Sequence, residues 1–157
     1  MYKKVLVPLD GSQFSQCGLD QVRGIAKGLD VPEVILLRVV EPLPEDDRSA
    51  LLELAADSIP KLERMKDSIA LDYVSSLAKK LVEESVHARG EIAHGRAAEE
   101  IIKYAENNKC DLIIMGTHGR SEVAIWTMGS VAEKVANHST VPVQLVSPKE
   151  CRTKAGF

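Results

Sequence analysis

Five short apolar runs alternate with stretches of helical periodicity along this chain, and that alternation constrains its fold more than any other feature. The runs are Lys4 to Leu9, Val34 to Val40, Val86 to Ala93, Asp111 to Met115 and Val141 to Val146. The second is aliphatic throughout except for Arg38, as expected of a strand covered on both faces, whereas the third interleaves polar residues as an edge strand would. Helices are predicted from Phe14 to Leu29, with Cys17, Val22, Ile25, Ala26 and Leu29 inward, from Ala97 to Asn108, and from Ser130 to His138. A long helix is predicted where Leu62, Met65, Ile69, Tyr73, Leu77 and Leu81 recur three or four apart. Glu41 to Ile59, with Pro42, Pro44 and an acidic run, reads as a loop carrying a short helix near Ala50 to Ala56. Strands joined by helical crossovers form a parallel sheet with helices on both faces. The expected fold is therefore α/β: a doubly wound, Rossmann-like five-stranded sheet of order 3-2-1-4-5.

The chain has 157 residues, enough for one domain with a full core, expected over residues 1–148 with 149–157 as a short tail. A formal charge of −3 with scattered basic residues gives no reason to expect nucleic-acid binding. The opening apolar stretch, Val5 to Leu9, is too short for a signal peptide or a membrane span. Cys17, Cys110 and Cys151 are odd in number and far apart, so neither a disulfide framework nor a zinc site follows. A cytoplasmic protein without membrane contact is expected.

In such a sheet, ligands bind at the carboxyl ends of the strands where the winding reverses, here between the first and fourth strands. Asp10 ends the first. The fourth runs into Gly116, and the segment GTHGRSEVAIWTMGS brings Gly119, Gly129 and Ser130 before the last helix. Glycine lets a ligand approach backbone N–H groups, and a helix N-terminus offers unpaired donors, so this segment suits phosphate. His118 and Arg120 lie within it as candidate phosphate neighbours. Ser130 also heads an S-x-x-E capping box with Glu133, and Asp10 in Asp10-Gly11-Ser12 equally suits a plain turn. Both residues thus have a structural reading beside a binding one. No P-loop, dinucleotide fingerprint or nucleophile elbow is present. No nucleophile–base–orienter set can be assembled, so binding is expected rather than catalysis.

The opening KVLVPLDGS, the VILLRVVEP run, HGRAAEEIIKYAENNKCDLIIMGTHGR and GSVAEKVANHSTVPVQLV together resemble the universal stress protein family, in its ATP-binding branch. Gly116, Gly119, Gly129 and Ser130 match that family's G-x2-G-x9-G-[ST] signature in full. The resemblance implies an adenine nucleotide hydrolase-like fold that holds ATP, with or without magnesium. It implies that Pro8, Leu9 and Asp10 line the adenine and ribose, and that Val39 borders the base. Gly116 and Gly119 would wrap the ribose and phosphates, with Gly129, Ser130 and Val131 holding the phosphates. It further implies a homodimer paired through the last strand, Val141 to Val146, and a nucleotide-responsive regulatory role in stress resistance. A slow magnesium-dependent ATPase and a nucleotide-free dimeric scaffold are the alternatives. Leu9 and Arg38 depart from the family's usual residues at the base pocket.

Overall fold

A computed structural model describes residues 1–12, 15–117 and 128–147. In chain order the elements are β1 (Lys4–Pro8), α1 (Cys17–Leu29), β2 (Glu33–Val40), α2 (Glu45–Ala55) and α3 (Ser58–Glu83), then β3 (Ala88–His94), α4 (Ala97–Asn107), β4 (Leu112–Gly116), α5 (Ser130–His138) and β5 (Val143–Val146). The strands form one parallel sheet of order β3-β2-β1-β4-β5, as predicted.

Strand alternation decides which helices cover which face. Val5, Val7, Val34, Leu36, Leu112 and Ile114 point to one side and bury α1 and α3. Leu6, Ile35, Leu37, Val39, Ile113 and Met115 point to the other and bury α4 and α5. Because both faces are covered, the central strands have no polar side, which is why they read as continuous apolar runs.

Where the elements depart from expectation, the causes are local. The acidic run assigned to a loop is instead the first turn of α2: Pro44 sets the entry, and Glu45, Asp46 and Asp47 sit where the helix dipole favours negative charge. No residue of α2 is buried. Leu29, expected inward, is exposed at the end of α1, where Asp30 turns left-handed and Val31 takes the core position. β5 begins two residues later than predicted, because Pro142 has no N–H to give the ladder; its carbonyl still accepts from Ile113 N at 2.9 Å.

The largest correction concerns α3. Its buried stripe is Ala70, Val74, Ala78 and Leu81, while Met65 and Ile69 are exposed. The small residues are inside because α3 lies so close to β3 that a Cβ at Gly90 would stand 2.8 Å from Ser75 N and from the Val74 carbonyl carbon. Cys110 is a buried free thiol. Cys17 is disulfide-bonded, which corrects the expectation of a chain without disulfides, since spacing along the sequence does not set distance in the fold. Among the described residues no helix is long and apolar enough to cross a membrane.

Candidate functional site

The reversal point opens into a cavity of about 870 Å³ at the carboxyl ends of β1, β2 and β4. Pro8, Leu9, Asp10, Val39, Gly116, Gly129, Ser130 and Val131 all line it, so residues far apart in sequence do meet at one crevice. His118, Gly119 and Arg120 lie outside the described residues.

The β1 side of the cavity is a tightly bonded loop. Asp10 Oδ1 accepts from Ser12 N at 2.8 Å and Ser12 Oγ at 2.6 Å, an Asx turn that Gly11 permits by taking a φ of 87°. The buried Ser15 donates from Oγ to Ser12 O at 2.9 Å and accepts from Asp10 N at 3.3 Å. The turn reading of Asp10 is therefore realised, and it leaves the residue facing the cavity. Burial pushes the Asp10 carboxyl upward, but the Ser12 bonds, the Ser15 hydroxyl and the nearby Arg38 guanidinium outweigh it and hold it below its usual 3.8. Leu9 contributes backbone only. Its side chain is core, its N–H donates to Leu37 O at 2.9 Å, and its carbonyl accepts from Arg38 Nη1 at 3.4 Å.

A carboxyl depressed on folding stabilises the fold above its unfolded pKa, and that contribution disappears as pH falls through the folded value. Asp10→Asn is therefore expected to lower the urea midpoint at neutral pH, with the gap from the parent closing below about 3.8. A gap independent of pH would show that the charge of Asp10 is not what stabilises the turn.

On the α5 side the capping box does not form. Gly129 is the N-cap, with φ −62° and ψ 149°, and no side chain caps the helix. Ser130 is instead the first helical residue, one place too late to cap. The Gly129 N–H is also committed, donating to Thr117 O at 2.7 Å and drawing the end of β4 to the start of α5. This corrects the expectation that the Gly129 amide serves an anion. The first intrahelical bond runs from Glu133 N to Gly129 O at 3.0 Å. The amides of Ser130, Val131 and Ala132 are thus the first-turn donors without a partner among the described residues, and these three residues line the cavity.

Between these ends the α4 and α5 wall is apolar, built from Val39, Ile101, Met115 and Ala132. Anion donors at one end, an apolar slot, and a carboxylate at the strand reversal make a site for a small amphiphilic anion. The universal stress protein family model matches residues 1–147. The chain belongs to the universal stress protein family. Universal stress protein MJ0577 of Methanocaldococcus jannaschii is 35% identical, covering 95% of this chain and 97% of its own. The solved structure of MJ0577 superposes with a TM-score of 0.78 at 32% identity, over 93% of this chain and 96% of that one. Two more distant structures share the fold. One is an Arabidopsis thaliana universal stress protein with AMP bound (TM-score 0.63, 16% identity, covering 92% and 90%). The other is a universal stress protein in complex with cAMP (TM-score 0.63, 22% identity, covering 92% and 97%).

Sequence reasoning missed the wall that α3 gives this universal stress protein. Lys66, Ala70 and Tyr73 line the cavity, as do Glu41, Pro42 and Pro44 ahead of α2. Ile69 and Tyr73, both in the predicted apolar stripe, do line the cavity; Lys66 lies on the same helical face but fell outside a stripe read from apolar spacing.

Proposed function

We propose that this universal stress protein binds an adenine nucleotide, ATP by preference, as a regulatory ligand in stress resistance. The observation that carries the reading is the set of first-turn amides at Ser130, Val131 and Ala132, which have no partner among the described residues, at a cavity whose α4 and α5 wall is apolar. Phosphates would sit at the helix start, where N–H donors and the dipole favour negative charge. The base would lie against Val39, Ile101 and Met115, and the ribose near Asp10, with Pro8 and Gly116 shaping the backbone around it. The AMP and cAMP complexes of proteins sharing the fold support the same ligand class. Magnesium would be held mainly by the nucleotide's own phosphates and water. Asp10 supplies one carboxylate, and no group of three metal-ligating side chains occurs among the described residues.

We also infer a homodimer through the last strand. β5 is a sheet edge on which Val143 and Leu145 are only half-buried, and pairing with a second copy would cover them and satisfy the open edge.

Isothermal titration calorimetry with ATP and magnesium tests the binding. A saturable heat is expected, and its absence at millimolar nucleotide would refute the reading. Sedimentation of the same sample is expected to give twice the chain mass; a single-chain mass would remove the dimer.

A further inference from the structure

We infer that the cavity holds a second anion subsite on its α3 wall, and that it suits a nucleotide carrying a second phosphoryl group on its ribose. The inference rests on the nucleotide reading above and extends it. Strand alternation sends Arg38 to the face opposite Val39, so the two walls differ in chemistry. The α4 and α5 wall is apolar, whereas the α3 wall sets the donors Lys66 and Tyr73 beside Ile69 and Ala70. Lys66 and Tyr73 stand two turns apart on one face of α3 and line the cavity together with Arg38.

Lys66 is the least committed of these groups. Its ammonium has three donors, and one goes to the Glu41 carbonyl at 2.6 Å; no other partner occurs among the described residues. Tyr73 accepts from Gln16 Nε2 at 3.3 Å, which leaves its own hydroxyl hydrogen to give. Arg38 bonds Leu9 O and stands beside Asp10. The nearby carboxylates are both hydrogen-bonded. Asp10 accepts from Ser12 in its turn, and Glu41, which also lines the cavity, accepts from Ala97 N at 3.2 Å. The spare donors of Lys66 and Tyr73 select an acceptor-rich oxyanion. With one phosphate at the start of α5 and the ribose near Asp10, a group on the ribose hydroxyls would run past Asp10 toward Lys66.

The test compares AMP with adenosine 3′,5′-bisphosphate and adenosine 2′,5′-bisphosphate by calorimetry, on the parent and on Lys66→Gln. One of the bisphosphates is expected to bind about tenfold more tightly than AMP, the scale of one charge-assisted contact. That ratio is expected to fall toward one in Lys66→Gln and to shrink with added salt. AMP binding without any preference for either bisphosphate would overturn the subsite and leave the nucleotide reading intact. A preference that survives in Lys66→Gln would overturn the role of Lys66. Failure of all three to bind where ATP still gives a saturable heat would overturn the subsite alone, whereas failure of ATP as well would overturn both readings.

Discussion

Gly90→Ala is expected to unfold at a much lower urea concentration than the parent, with a loss of about 3 kcal/mol, the upper end of the range for overpacking. The added methyl would lie 2.8 Å from Ser75 N, 2.8 Å from the Val74 carbonyl carbon and 2.9 Å from Val74 Cγ2. Two of those atoms are backbone, so no rotamer change relieves the clash. Either α3 lifts from the sheet or β3 shifts against β2, where Gly90 pairs with Leu36. Lifting α3 would loosen Val74, Ala78 and Leu81, each at most 4% exposed. Gly24→Ala in α1 is the matched control. A Cβ there meets nothing within 4 Å, so the change is expected to stabilise by about 0.5–1 kcal/mol through helix propensity alone. Equal midpoints for Gly90→Ala and the parent would show that α3 is not held as closely as its geometry states.

The second large effect is on binding. Ser130→Pro is expected to weaken ATP by ten- to a hundredfold, about 1.5–3 kcal/mol for a hydrogen bond to a charged group, while leaving the fold intact. Proline is favoured at the first helical position, and the preceding residue must be extended, as Gly129 already is at ψ 149°. The substitution therefore deletes the Ser130 amide donor and hydroxyl without breaking α5. Ser130→Ala removes the hydroxyl alone, so the difference between the two variants isolates the amide. Unchanged ATP affinity in a folded Ser130→Pro protein would move the phosphates away from this helix start.

The strand ends, the sheet order and the meeting of Asp10 with Gly116, Gly129 and Ser130 were legible in the chain. Each depends on short-range pattern plus one topological rule, and the helical crossovers leave few other arrangements. The roles within the site were less legible. The S-x-x-E motif suggested a capping serine, yet a one-residue offset made Ser130 the first helical position. The bond from Gly129 N to Thr117 O removed a donor that the motif alone offered to phosphate. A motif specifies residue types at a spacing, but a donor's partner depends on which strand ends beside it.

By itself, then, the sequence determined the α/β class, the order of five parallel strands and the region where a ligand would sit. Apolar periodicity and chain connectivity are local properties that survive without coordinates. Only the tertiary structure decided that α3 turns Ala70, Val74 and Ala78 inward, with Val74 and Ser75 closest to Gly90, and so presents Lys66 and Tyr73 to the cavity. Helix rotation follows from how closely two backbones approach, and that distance arises from packing between segments remote in the chain.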